Sequence, residues 1–254
     1  MAIDWPSRIR AATIHLGCSL AVAALAAALV FTLWYPWPYR IVSGGTELFA
    51  LLVSVDAVIG PIITLAVFDQ RKPKATLSRD LVVVVLLQLT ALGYGLHTTF
   101  IARPVVLAFE GQRFRATTAI QVAEEELPEA PASLRSLPID GPRPVLAVPS
   151  PDAKDKFETI QAALAGVDVG MRPRFWRVWS DEGKRAALAA AKPLTTLLAR
   201  QQSRDADVDS AIRRSGKAAE SLVYLPMVAR RTDWVVLLDA HSGDIVGFAP
   251  LDGF

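Results

Sequence analysis

The sequence predicts a membrane protein, a three-transmembrane-helix bundle followed by an α+β domain. Three observations lead there. Apolar residues crowd the stretch from Ile14 to Ala102, almost all the remaining charge follows Arg103, and the region after Arg103 carries short runs of β type. A single-domain soluble chain of 254 residues would interleave these classes throughout.

Crossing a hydrocarbon core of about 30 Å takes roughly 20 apolar residues in a helix. Residues 14–35, 48–68 and 81–101 qualify. The first segment has some features of a signal peptide, because Arg8 and Arg10 precede it and Ala24-Leu25-Ala26 resembles a cleavage site. Its apolar run is longer than a usual signal core. The aromatic cluster Trp34-Tyr35-Pro36-Trp37-Pro38-Tyr39 follows it as an interfacial belt, so a retained anchor is expected.

Basic residues in short loops set orientation. Arg8 and Arg10 flank the first segment, and Arg71, Lys72, Lys74 and Arg79 crowd the loop between the second and third, while Arg40 stands alone in the other loop. The N-terminus (1–13) and the Gln70–Ser78 loop are therefore expected in the cytoplasm, and residues 103–254 outside, in the periplasm of a Gram-negative cell. A bacterial inner-membrane location follows.

Polar positions within the apolar segments carry more information. A lone carboxylate such as Asp56 costs about 2.5–3.5 kcal/mol near the middle of a membrane helix. Asp56, Gly60 and Thr64 recur every four residues as one stripe, and Pro61 is expected to kink the helix near Ala57. Gln88, Ala91, Gly95 and Thr98 share a face of the third segment, and His15, Ser19, Ala23 and Ala26 share one of the first. Asp56 lies roughly 12 Å from the outer end of its segment and Gln88 roughly 10 Å from the inner end of its own. The two are expected to hydrogen-bond inside the bundle. Such a set (His15, Ser19, Asp56, Gly60, Pro61, Thr64, Gln88, Gly95) glues a bundle, receives a partner's helix, or serves catalysis or ion passage.

After Arg103-Pro104 the pattern changes. Val105–Phe109 and Arg113–Thr117 flank the turn formers Glu110-Gly111-Gln112 as a hairpin. A short acidic helix is expected over Thr118–Leu127, then a Pro-rich loop over residues 128–144 that excludes regular structure. Val145–Val148 reads as a strand, with helices from about Asp152 to Leu164 and over Asp181–Gln202, the latter interrupted by Pro193. Ser221–Ala229, Trp234–Asp239 and Ile245–Ala249 complete the chain as strands, the last two joined at Ala240-His241-Ser242-Gly243. Phe175, Trp176, Trp179 and Tyr224 are either core or an exposed patch for protein contact.

Several function classes find no support. The net charge of +2 has no basic stretch interleaved with aromatics, which argues against nucleic acid. One cysteine, Cys18, permits no internal disulfide and no CxxC site. Asp205, Asp207 and Asp209 begin like a calcium loop, but Ser210 and Gly216 break the pattern and a solvated polar segment is the better reading. His15 at the inner surface, His97 at the outer surface and His241 in an external turn are not spaced as metal ligands. Neither a phosphate loop nor a GxSxG elbow occurs, so no catalytic constellation, cofactor or small-molecule substrate is expected.

Taken together, the chain resembles the TfpX/TfpZ family of type IV pilin accessory proteins. The resemblance rests on His15-Leu16, Ser19 and Leu33-Trp34-Tyr35-Pro36, on Val55-Asp56, Gly60-Pro61, Thr64-Leu65 and Phe68, and on Arg79-Asp80-Leu81, Gln88-Leu89, Ala91-Leu92, Tyr94-Gly95 and Ala102-Arg103-Pro104-Val105. Arg113-Phe114, Tyr224-Leu225-Pro226, Leu237-Leu238-Asp239 and Gly243 continue it, whereas residues 127–221 contribute nothing. It implies an inner-membrane assembly factor, chaperone-like toward a major pilin and in reach of the pilus assembly machinery, with no enzymatic activity. Two other classes stand beside it. An intramembrane peptidase using Asp56 needs a second titratable group at that depth, where only Gln88 is found. A membrane sensor with an external ligand-binding domain needs a partner for its output.

Overall fold

The computed structural model describes residues 4–150, 152–200, 206–230 and 233–254. The chain forms two compact units, Met1–Trp34 with Gly45–Ala102, and Tyr35–Gly44 with Arg103–Phe254.

The first unit is helical. Helix α1 (Trp5–Leu29) opens at Asp4, whose carboxylate accepts the Ser7 amide at 3.4 Å, with Pro6 in the first turn where no amide hydrogen is needed. It runs on through a π-helical turn, Val30–Trp34. After the four-residue α2 (Tyr39–Val42) come α3 (Gly45–Val67), which stays helical through Pro61, and α4 (Lys74–Ile101). All three long helices are long and apolar enough to cross a membrane. Leu25, Leu51 and Leu87 are each at least 60% exposed, as a lipid-facing surface requires and a water-facing one would not tolerate on this scale.

Side chains tie the helices together. Arg8 donates to the carbonyls of Leu65 (3.2 Å) and Ala66 (3.0 Å) and pairs with Asp69, closing the C-terminal end of α3 with a cation. Phe31 meets Phe49, and Trp34 meets Phe100, edge to face.

The second unit is an α/β domain around one mixed sheet. Its strands are β1 (Pro104–Phe109), β2 (Phe114–Thr118), β3 (Arg143–Ala147), β4 (Trp176–Val178), β5 (Lys192–Pro193), β6 (Leu222–Val228), β7 (Trp234–Asp239) and β8 (Ile245–Ala249). They lie in the order β4-β3-β1-β2-β6-β7-β8, with β5 also paired to β6. β1 runs parallel to β3 and β2 parallel to β6; the other pairs are antiparallel. All six residues of β7 are buried, because Trp234, Val236 and Leu238 face one core cluster and Val235 and Leu237 the other. The helices are α5 (Ala153–Leu164), α6 (Asp181–Ala190), α7 (Leu194–Leu198) and α8 (Ala206–Ser215).

Several expected elements differ. The expected helix over 118–127 is replaced by 3₁₀ turns, Ala119–Gln121 and Glu124–Glu129, and the stretch 128–144, expected without regular structure, holds a further 3₁₀ turn, Ala132–Leu134, and the start of β3 at Arg143. The expected helix over 181–202 splits at Lys192–Pro193, which pair with β6. Asp207 and Asp209 lie in the first turn of α8, where Val208, Ala211 and Ile212 are buried, so this is an amphipathic helix and not a solvated segment. Asp205 falls outside the described residues. The β7–β8 turn stands as read, with Gly243 at φ +73° and the Asp239 carboxylate accepting the amides of His241 (2.8 Å) and Ser242 (3.0 Å). Lys217, 2.6 Å away, and those amides hold the Asp239 carboxyl well below the usual carboxylate range.

The short segment Tyr35–Gly44 is not a plain loop. Tyr39 and Val42 are buried in the main core cluster. Tyr39 stacks edge-on against Phe248 at 5.6 Å, and Trp37 against Trp234 and Phe248 at 6.4 and 6.3 Å. Truncating a large buried aromatic costs about 3–5 kcal/mol. Tyr39→Ala is therefore expected to destabilise this unit by that amount, while Tyr94→Ala, at a side chain 74% exposed, leaves it unchanged. Denaturant unfolding of the detergent-solubilised chain, followed by tryptophan fluorescence, measures both; equal midpoints would deny the segment a place in the core.

Candidate functional site

In the first unit α3 packs against both α1 and α4, while the backbones of α1 and α4 stay further apart and meet through side chains. An open groove results. It is divided into two clefts, one floored by Thr64 and the other by Asp56 of α3, with walls from α1 and α4, and Gly60 is buried between them.

One polar bridge crosses it. His15 Nε2 lies 2.5 Å from Gln88 Oε1, and His15 Nδ1 lies 2.5 Å from Thr64 Oγ1. Gln88 Nε2 donates to the backbone carbonyl of Asp56 at 3.4 Å. A carboxamide oxygen only accepts, so in the neutral ring Nε2 carries the hydrogen and Nδ1 accepts from the Thr64 hydroxyl. Every ring nitrogen and both ends of the Gln88 amide are then used. Gly60 leaves the room for this: a Cβ there would collide with the Gln88 amide and crowd His15. Gly95 plays a similar part against Leu52, whose methyl occupies the space a Cβ would need.

The other expected positions fall around the bridge. Ser19 and Asp56 line a cleft of about 160 Å³ on one side of it, between Val22 of α1 and Leu89 of α4. A larger cleft of about 440 Å³ lies on the other side, between Ile14 and Leu81. The expected pairing of Asp56 with Gln88 takes a different form, because the amide reaches the backbone oxygen and not the carboxylate. No hydrogen bond to the Asp56 carboxylate is found among the described residues.

His15 lies well inside α1. α1 starts at Trp5, so His15 is 10 residues in, about 15 Å along the axis. The signal was present in Asp4-Trp5-Pro6-Ser7, an N-cap followed by a first-turn proline. Among the described residues no group of three His, Cys, Asp or Glu side chains is placed to hold a metal. His97 lies exposed on α4 and His241 in the β7–β8 turn.

The aromatic candidates of the second unit are core residues. Phe175, Trp176 and Tyr224 are at most 3% exposed, and the Trp176 indole donates to the Gly170 carbonyl at 3.0 Å. These three are unavailable as a contact patch because the sheet and its 3₁₀ turns enclose them. Trp179, partly buried, packs on Phe109 and Phe114.

The two faces of helix glycines give opposite expectations. Gly60→Ala forces a methyl into the bridge and is expected to destabilise the first unit by about 1–3 kcal/mol. Gly93 has nothing within 4 Å, so Gly93→Ala is expected to be neutral or to gain up to about 1 kcal/mol. Thermal unfolding in detergent, read by circular dichroism, separates them; equal effects of one sign would argue against close helix approach at Gly60.

Residues 3–44 match the family model described as fimbrial assembly protein FimB. The chain is 32% identical over 246 residues to the fimbrial assembly protein of serogroup I of Dichelobacter nodosus, covering 95% of this chain and 94% of that one. It is 30% identical over 245 residues to the serogroup E1 protein of the same organism, with the same coverage. Against the protein of serogroups C1 and C2 it is 36% identical over 117 residues, 46% of this chain and 89% of the other. No solved structure matches it significantly. Similar to two of these proteins over almost its whole length, and agreeing with the resemblance already drawn from its membrane segments, the chain belongs to the fimbrial assembly protein family.

Proposed function

We propose that this chain is an inner-membrane accessory factor for type IV pilus biogenesis, chaperone-like toward a pilin and not an enzyme. The N-terminus and the loop between α3 and α4 lie in the cytoplasm, and the second unit lies in the periplasm. The family and the names of its relatives support the general role. The observation that carries the contact is the open groove between α1 and α4, with a floor of small and polar residues and apolar walls. A partner's apolar helix laid there replaces lipid on the walls, with Ser19 and Cys18 of α1 as the small side chains it approaches. The second unit meets the partner's external part, and two contacts on one anchored chain raise the effective concentration of each.

Two features support the orientation. Arg71, Lys72 and Lys74 cluster in and beside the α3–α4 loop. Tyr35–Gly44 and Arg103–Phe254 build one folded unit, so the α1–α3 connection and the C-terminal part occupy the same side of the bilayer.

Photo-crosslinkers at Leu89 and Val22 on the groove are expected to capture pilin in intact cells, and one at Val58, an exposed position two residues past Asp56 on α3, is not. A reporter fused after Phe254 is expected to be active only outside the cytoplasm. Capture of pilin from all three positions alike, or from none, removes the groove; a reporter active only inside removes the orientation.

A further inference from the structure

The Asp56 carboxylate stands apart from its surroundings. Asp56 is the twelfth of the 23 residues of α3, so it lies about 16 Å from either end of the helix, at the middle of the span. Its side chain lines the cleft between α1 and α4. The neighbouring polar groups make no hydrogen bond to it, although His15 lines the same cleft and interacts with it electrostatically. His15 engages Gln88 and Thr64, and the Gln88 amide hydrogen is spent on the Asp56 backbone oxygen. The cations of α1 are engaged or out of place: Arg8 binds α3 carbonyls and Asp69, and Arg10 lines the other cleft, beyond the bridge. The rest of the cleft lining is Val22, Val85, Leu89 and Leu92, with His15, Gln88, Ser19 and Cys18 as its polar groups.

A carboxylate left facing lipid at this depth is costly, and so is a cation on an otherwise apolar helix. Each helix alone bears its own cost, and a helix pair that matches the two loses both at once. Lipid chains fill the groove but answer no charge.

We propose that Asp56 selects the groove's occupant by charge: it receives a cationic group carried at mid-membrane depth by an otherwise apolar helix of a partner protein. This rests on the reading of the groove as a helix-docking site, and it adds what that helix must carry. His15, Thr64 and Gln88 hold α1 and α4 on α3 so that the carboxylate stays in the gap. Polar contacts between membrane helices are modest, so the selectivity is a preference and not an absolute requirement.

The test uses the full chain in lipid vesicles with synthetic 22-residue Leu/Ala helices that differ only at their central residue. Capture by a photo-crosslinker at Leu89 is expected to favour the central-Lys helix over the central-Leu helix by roughly 3- to 30-fold, with central Glu weakest. Asp56→Asn is expected to abolish the Lys preference while leaving capture of the Leu helix unchanged, which reports that the groove is intact. Asp56→Glu is expected to retain the preference. No preference in the unaltered chain, or a preference that survives Asp56→Asn, overturns the proposal. So does capture of lipid alone, or of a second copy of this chain in place of the added helices. Pilin captured in cells without any charge preference in vesicles leaves the docking reading standing and this inference refuted. A charge preference in vesicles without pilin capture in cells removes pilin as the occupant and leaves the charge selection standing.

Discussion

In hydrocarbon a polar group has no water to fall back on, so each one in a membrane helix must be satisfied by the chain itself, by a partner, or at a cost. The first unit is organised by that constraint. His15, Thr64 and Gln88 come from three different helices, and their side chains bond across the gaps between them. Joined, they close a circuit that fixes α1 and α4 on α3 without requiring α1 and α4 to pack on each other. Gly60 is the condition for it, because any side chain there would push the Gln88 amide away. The groove is thus a consequence of bridging by polar side chains where continuous apolar packing would have filled the space.

The second unit depends on a different economy. Its sheet offers two apolar faces, and a central strand buried on both sides needs covering layers above and below. On one side α7 and α8 supply Leu194, Leu197, Val208 and Ile212. On the other, part of the cover comes from Tyr39 and Val42, which stand between two membrane helices in sequence. The core of the second unit is therefore completed by a segment that lies between α1 and α3 in sequence.

Charge at the surface of the second unit is largely internal to it. Glu110 pairs with Arg113 and Arg115, and both arginines reach Asp168. Glu126 pairs with Arg172. These pairs tie the β1–β2 hairpin and the 3₁₀ turns together, with modest contributions to stability where they remain accessible to water.

The sequence by itself determined the three spanning helices, the break at Arg103, the β1–β2 and β7–β8 hairpins and the likeness to pilin accessory proteins. Each of these is written locally, as an apolar run of fixed length, an alternation of period two, or a turn with its glycine. It also marked Asp56, Gly60, Thr64, Gln88 and His15 as unusual, because polar and small residues at four-residue spacing are rare in lipid. Only the tertiary structure decided which of them meet. That His15 joins Gln88 and Thr64, that Gln88 takes the backbone oxygen of Asp56, and that Trp37 and Tyr39 serve the sheet core are facts about residues 32 to 211 positions apart. Helical period says which residues share a face, but the partner of a face is set by the packing of whole helices and sheets, and no local pattern encodes it.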